Sequence, residues 1–264
     1  HYCQKEEVTV DAITQYRLIS GADGNKDQSY FLCQLTQDQL SKTLFPIGHL
    51  QKVAVRKIAR ELDLVTAEKK DSQGLCFIGK VRLPDFLQQQ LQPKAGNIIE
   101  ISEDFYDNRR ESNALTDQSQ KIRYSSTDGK IIGTHQGAHF FTIGQRKGLA
   151  VGGTPEPLFV IDTDVSENIV YVGQGKDHPG LHRKSLKVNV DDVHWVRDDL
   201  KVSKGESMSV LARIRYRQTL QKATLFPQEN ALYVLFDQKQ SAITSGQFVA
   251  WYKDSELLGS GVIA

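Results

Sequence analysis

The chain has 264 residues, 39% of them hydrophobic and 25% charged, with a formal net charge of +1. This length exceeds that of the usual single domain, so we expect two or three compact units. The composition is that of a soluble protein, because no apolar run approaches the roughly 20 residues of a membrane span, and the balanced charge favours no particular partner.

Two helices are predicted between residues 36 and 64, where apolar residues recur at helical spacing. The first opens at Thr36 with Asp38 in its first turn, and Pro46 separates it from the second. A third, short helix is predicted at 83–91. The first part of the chain is therefore expected to be helical.

Beyond Pro93 the sequence changes to short alternating apolar runs separated by Gly, Asp and Asn, a pattern typical of barrels and sandwiches. The predicted strands are 97–101, 130–133, 138–143, 158–162, 169–173, 185–193, 207–218, 222–226, 232–236, 247–253 and 257–263. Residues 104–129 are polar and weakly patterned, so we expect a long surface insertion there.

These elements predict an α+β fold in which a short helical segment is followed by two mainly β units. We place a helical piece at 1–79, a central β domain at 80–180 and a C-terminal β-barrel at 181–264. The residues that could carry chemistry fall in all three parts.

A dense polar cluster at residues 25–32 runs straight into an apolar stretch. Asp27 and Ser29 could cap the following helix and do nothing more. Alternatively, Lys26 and Gln28 could hold a phosphate and a ribose or base edge, because that needs one cation and one amide close together. The residue types alone leave both interpretations open.

Cys76 follows two lysines and a glycine in the segment 69–79. A thiol reacts as its thiolate, and nearby lysines or loop amides lower its pKa toward neutrality. Cys76 could therefore be a nucleophile, or it could be a small buried residue such as Cys33, which lies in an apolar run.

Glycines flank the segment Gln-Arg-Lys at 145–147. They predict a tight exposed loop in which Arg146 and Lys147 could approach a phosphate, although a turn that merely displays charge is the simpler interpretation. His135 and His139 are spaced by four, but no third ligand is apparent, and we predict no metal site.

Basic residues concentrate between positions 204 and 222, where five stand against one acid. On a strand, Arg213, Arg215 and Arg217 would share one face at a spacing of roughly 7 Å, close to the phosphate repeat of an extended nucleic acid. Tyr216 would then face inward. These arginines are candidate phosphate contacts, unless they form a structural strand that faces acids.

The three cysteines include no Cys-x-x-Cys pair, and the charged start at His1 is no signal peptide. Both features favour a reducing, cytoplasmic location. The single methionine is Met208, so we expect the chain to begin inside a longer gene product.

Several segments, in order along nearly the whole chain, together resemble the bacterial and mitochondrial tRNA 2-thiouridylases. They are His1-Tyr2, residues 25–32, residues 70–72 with 74–79, residues 133–137, residues 142–149, residues 215–218 and residues 245–247. Each match is weak alone, but their shared register is specific to this family.

The resemblance implies a sulfurtransferase that uses ATP and Mg²⁺ to activate the wobble uridine of tRNA and delivers sulfur to its C2 from a cysteine persulfide. It implies that Cys76 receives the persulfide sulfur from a sulfur-relay protein. The tRNA contacts that it implies are His1, Lys26, Asp27, Gln28, Arg215, Tyr216 and Gln247.

The family's N-terminal ATP-binding half is not recognisable in the sequence, and no nucleotide-binding glycine loop is present. We therefore expect the central and C-terminal part of such an enzyme, whose helical segment is the tail of an α/β ATP-pyrophosphatase-like domain and which is inactive alone. The alternatives are a stand-alone tRNA-binding module without catalysis and a β-barrel whose arginines are structural.

Overall fold

The computed structural model describes residues 1–69, 91–107 and 114–264, which are mostly β. The helices are α1 (Gln37–Ser41), α2 (Lys52–Glu61) and α3 (Leu115–Ser119). The strands are β1 (Cys3–Val10), β2 (Ile13–Ser20), β3 (Gly96–Glu100), β4 (Lys130–His135), β5 (Leu158–Asp164), β6 (Ile169–Gln174), β7 (His182–Trp195), β8 (Met208–Arg213), β9 (Gln221–Pro227), β10 (Ala231–Ser241), β11 (Phe248–Lys253) and β12 (Glu256–Ile263).

The described residues form two compact units. The first contains His1–Lys69, Lys184–Gln238 and Thr244–Ala264, and the second takes in the described residues from 91 to 183 together with Lys239–Ile243. The division of the chain at residues 79 and 180 stays a prediction.

The first unit contains a closed six-stranded β-barrel, which confirms the barrel predicted near the end of the chain. Its strands follow the order β12-β11-β8-β9-β10-β7, and β12 pairs with β7 to close the ring. Buried and less buried residues alternate along β8 and β9, so that one face of each of these strands fills the interior, whereas consecutive residues of β11 and β12 are buried. Val210 and Ala212 of β8 are examples, both buried.

The β1–β2 hairpin is an element that the sequence did not predict. It pairs antiparallel from Cys3↔Ser20 to Val10↔Ile13 and joins the barrel through β2 and β12. Its first strand, with the sequence CQKEEVTV, carries charges on a largely solvent-facing stretch, so the usual alternation of apolar and polar residues is absent. Backbone hydrogen bonds to β2, which in turn pairs with β12, stabilise this strand instead.

The predicted start of the first helix at Thr36 is confirmed. The Thr36 hydroxyl accepts a hydrogen bond from the Gln39 backbone N–H, and the Gln39 side chain accepts one from the Thr36 N–H. Leu40 of α1 is fully buried in the core of the first unit. The second predicted helix is α2, whereas the third, at 83–91, lies almost wholly outside the described residues.

Ten of the eleven predicted strands overlap observed ones. The segment 138–143 is wrong as a strand, because Ala138–Phe140 is a turn of 3₁₀-helix that begins after Gly137 at φ 138°. The Ala138 N–H donates to the Asn168 side-chain oxygen over 2.9 Å, which satisfies it without a partner strand.

The second unit is a four-stranded sheet with the order β4-β3-β6-β5, in which β3 and β6 run parallel. Ile98 and Val170 point to one side, into a cluster with Leu158 and Val172. The next residues along the two strands, among them Ile99, point to the other side and a second cluster. Both faces of this sheet are therefore covered.

The expectation that 104–129 is a surface insertion is wrong for its described aromatic residues. Phe105, Tyr106 and Tyr124 pack against the second cluster of this unit, and the hydroxyls of Tyr106 and Tyr124 lie 2.6 Å apart. A few aromatic residues in this polar stretch cover one face of the sheet. The stretch has no periodic pattern from which this packing could be predicted.

Among the described ranges, no helix is both long and apolar enough to span a bilayer.

Candidate functional site

The loop between β2 and α1 is organised around the carboxylate of Asp27, which is 6% exposed. One carboxylate oxygen accepts hydrogen bonds from the backbone N–H groups of Gly21 (3.1 Å) and Ser29 (3.0 Å), and the other accepts from the Ser29 hydroxyl (2.9 Å). Such turns satisfy backbone donors that the end of β2 leaves free. Asp27 therefore fixes the shape of this loop.

Arg213, the last residue of β8, pairs with Asp27 and is equally buried at 6% exposure. The same guanidinium donates to the Ser29 hydroxyl over 2.9 Å and to the hydroxyl of Tyr252 in β11 over 2.7 Å. Burial raises the pKa of Tyr252, so this hydroxyl stays neutral. A buried guanidinium needs such a set of acceptors, and it connects the loop to the barrel wall.

Tyr30 makes a second connection between this loop and the barrel. Its hydroxyl lies 3.1 Å from the carbonyl oxygen of Ile214 and 2.9 Å from that of Phe248, and shares its proton between them. Burial raises the pKa of Tyr30 to about 12, so the hydroxyl remains a donor at neutral pH. The segment 29–32 is thereby held against the turn that follows β8.

That turn, residues 214–218, brings several predicted site residues to one surface. The Ile214 N–H donates to the Gln218 side-chain oxygen over 2.8 Å, and Arg217 has φ 67°. The rings of Phe31 and Tyr216 lie 4.4 Å apart, and the Arg217 guanidinium lies 5.3 Å from the Tyr216 ring centre. We call Lys26, Gln28, Phe31, Arg215, Tyr216 and Arg217 the joined surface.

The predicted ladder of three arginines on one strand face is wrong, because β8 ends at Arg213. Arg213 and Asp27 are buried partners of each other, whereas Arg217 is exposed, and the RNA contacts predicted for these residues stay predictions. The expected inward direction of Tyr216 also fails, since the chain leaves the strand before that residue and Tyr216 packs against Phe31.

Gln28 and Gln247 use their backbone and side-chain groups differently. The Gln28 side-chain oxygen accepts from the Tyr2 N–H over 3.0 Å, which places the exposed His1 beside the loop. Gln247 accepts from the Ile263 N–H through its carbonyl over 2.8 Å. Its side-chain oxygen is buried and has no hydrogen-bond partner among the residues that the structure describes.

Arg146 and Lys147 belong to the second unit, where both are exposed. Gly144 at φ 84° and Gly148 at φ 89° bound their turn, and the Gln145 side chain closes it with a 2.8 Å hydrogen bond to the Lys147 carbonyl. The predicted tight loop is confirmed, since both glycines adopt the left-handed conformation that other residues disfavour. Contact with phosphate stays a prediction.

Cys76 lies outside the described residues. The other two cysteines are buried and free. Burial, and then the charge of Asp27, raise the pKa of Cys3 to about 12, and burial also raises the pKa of Cys33. Both thiols are therefore poor nucleophiles near neutral pH.

Phe31 and Tyr252 are members of this site that the sequence does not single out. Ser29, a candidate helix cap from the sequence, lies two residues after Asp27, which is a typical turn signal. Phe31 looked like part of an apolar run. No local pattern indicates that Tyr252, more than 200 residues away, shares a hydrogen-bond network with this loop.

Three family descriptions match the chain. The "tRNA methyl transferase HUP domain" matches residues 1–80, the "tRNA methyl transferase PRC-barrel domain" matches residues 112–174, and the "Aminomethyltransferase beta-barrel domain" matches residues 185–263. The first match overturns the expectation that the chain lacks the N-terminal half of the enzyme, because residues 1–80 belong to a HUP domain.

Curated relatives match over the whole chain. The tRNA-specific 2-thiouridylase MnmA of Christiangramia forsetii is 64% identical and that of Flavobacterium johnsoniae is 62% identical, and the match covers 100% of this chain and 69% of each relative. The enzyme of the same name from Karelsulcia muelleri is 48% identical, with 100% of this chain and 68% of the relative covered.

Proposed function

Because this chain belongs to the family of tRNA-specific 2-thiouridylases, we propose that it catalyses the ATP-dependent transfer of sulfur from a cysteine persulfide to C2 of the wobble uridine of tRNA. The single observation that supports the RNA side of this proposal is the joined surface. Two aromatic rings and the guanidinium of Arg217 meet there, with Lys26, Gln28 and Arg215 on the same two segments of the chain, and groups of these kinds bind phosphates and base edges.

We assign the RNA contacts of this proposed function to different residues. Lys26, Arg215 and Arg217 contribute positive charge toward the RNA backbone, while Gln28 and Gln247 offer amides. Arg146 and Lys147 provide further phosphate contacts from the second unit, and His1 stands beside the loop that presents Gln28.

Asp27 and Arg213 act indirectly, since their buried pair holds the two RNA-facing segments together.

We assign Cys76 as the residue that carries the sulfur, which a sulfur-relay protein supplies. ATP with Mg²⁺ is the co-substrate, and adenylation lets the C2 oxygen of the uridine leave with AMP. A second thiol that closes a disulfide with Cys76 releases the sulfur and supplies the two electrons that the transfer needs. Cytoplasmic tRNA is the substrate of this proposal. Cys3 and Cys33 do not compete for the role of Cys76, because burial keeps both as thiols.

Binding of tRNA should be salt-sensitive, and its salt dependence should identify the contacts. We expect Arg215→Ala and Arg217→Ala each to weaken tRNA binding and to reduce the slope of log affinity against log salt by about one unit, because each change removes one phosphate contact. Lys204→Ala is the matched control in the same basic stretch, since Lys204 pairs with Glu229 over 2.7 Å. An unchanged slope in the double variant of Arg215 and Arg217 contradicts the proposal.

Alkylation of the native chain near neutral pH should label Cys76 before Cys3 or Cys33. A thiol whose pKa is about 12 is ionised in about one molecule in 100,000 at pH 7, against a few per cent for an ordinary cysteine. Because a raised pKa moves ionisation to higher pH, labelling of Cys3 and Cys33 should increase only as the pH rises well above neutrality. Peptide mass spectrometry gives the order, and earlier labelling of Cys33 refutes it.

A further inference from the structure

Phe31 exposes 59% of its surface, although both of its neighbours in the chain are held against the protein. Tyr30 is fixed through its hydroxyl, and Leu32 packs against the core of the first unit. The short 3₁₀-helix Ser29–Leu32 that contains these residues gives Phe31 no inward direction. Its exposure is therefore imposed by the fold around it and is not the result of a loose loop.

Tyr216 lies against this ring, with the two centres 4.4 Å apart and the planes at 40°. The turn that carries Tyr216 places Arg217 at φ 67°, a conformation that is strained for residues other than glycine. The Arg217 side chain lies 5.3 Å from the Tyr216 ring centre. Glycine or asparagine would adopt this left-handed backbone conformation more easily than arginine. We take the arginine at this position to indicate that its side chain has a functional role at this surface.

An aromatic pair with one exposed ring could receive either an apolar protein surface or a flat polar ring. The surrounding charge favours the second, because Arg215 and Arg217 flank Tyr216 and Lys26 lies on the neighbouring loop. A nucleotide offers both complements at once, with a base that stacks on an aromatic face and a phosphate that pairs with a nearby cation. Only an unpaired base has a free face for such a contact.

We propose that Phe31 and Tyr216 form a stacking platform for one unpaired nucleobase of the bound tRNA. This inference rests on the proposed function and adds a subsite to it. Phe31 provides the exposed face, Tyr216 supports that ring from the side, and Arg217 holds the adjoining phosphate. The platform recognises unpaired RNA irrespective of its sequence, because every base has a π face.

The experiment compares two RNA probes, a tRNA anticodon stem-loop and a fully paired duplex of equal length, by fluorescence anisotropy. We expect Phe31→Ala to weaken binding of the stem-loop about 5- to 150-fold and to leave duplex binding unchanged. Phe31→Leu keeps an apolar side chain without a π face and should show the same loss, whereas Phe31→Trp should retain affinity. The salt slope should not change in any of them, because no phosphate contact is removed.

Ile13→Ala is the matched control, since Ile13 is 61% exposed and lies at the turn of the β1–β2 hairpin, at the opposite end from the Asp27 loop. Equal affinity of wild type and Phe31→Ala for the stem-loop overturns the platform and leaves the proposed function standing. Equal losses on both probes also overturn it, because stacking requires an unpaired base. Failure of the wild-type chain to bind the stem-loop overturns the proposed function and the platform with it.

Discussion

Changing Arg213 to alanine should lower the free energy of unfolding of the first unit by about 3–5 kcal/mol. The Asp27 carboxylate is 6% exposed and would lose its cation, while Ser29 and Tyr252 would lose a shared donor. An unpaired charge at such a depth is costly because it is removed from water without a compensating partner. Both tryptophans, Trp195 and Trp251, lie in this unit, so intrinsic fluorescence in urea follows its unfolding.

Two further variants make this test specific. Lys42→Ala removes an exposed ion pair with Asp38 at 2.7 Å and should change the free energy of unfolding by less than about 1 kcal/mol. Combining Arg213→Met with Asp27→Asn removes both charges, and it should cost less than the sum of the single changes because the two residues are coupled. Strict additivity of the two single changes would contradict a buried pair.

Replacing Cys76 by serine in the gene should abolish 2-thiouridine at the wobble position of cellular tRNA. A serine hydroxyl cannot form a persulfide, so no sulfur would reach the RNA if Cys76 carries it. Nucleoside mass spectrometry of digested tRNA measures the product. The expected result is loss to the background of a strain without the gene.

Cys33→Ala is the control, because Cys33 is 2% exposed and its burial raises the pKa of the thiol. That variant should keep its 2-thiouridine and lose some stability through the smaller side chain. If Cys76→Ser leaves the modification intact, Cys76 is not the sulfur carrier, and the interpretation of this chain as an RNA-binding module without catalysis gains support.

Local signals in the sequence predicted the elements whose causes are local. Thr36 begins a helix because its own side chain caps it, and β8 and β9 alternate because one face of each is buried. The β1–β2 hairpin was missed because its residues carry no such alternation. The end of β8 at Arg213 was missed too, since residues 214–218 continue the alternation while the backbone turns away.

The sequence predicts which residues belong to the candidate site, but it does not predict which of them contact each other. Lys26, Gln28, Arg215 and Tyr216 stand out by type and by family resemblance. The pairing of Asp27 with Arg213, which are separated by 186 positions, depends on how the barrel places β8 beside the loop. Charge at both positions predicts RNA contact from sequence alone, and what the sequence does not indicate is that the two charges are buried against each other.

The last strand of the barrel, β12, pairs with β11, β7 and β2. The other five strands of this barrel are therefore synthesised before β12, the strand that closes it. Until β12 is synthesised, the nascent chain carries an open sheet edge on β11 and another on β7, and such edges invite pairing with the wrong chain. Closure of the first unit is a late event in the life of the polypeptide, and premature termination inside β12 would leave those edges permanently open.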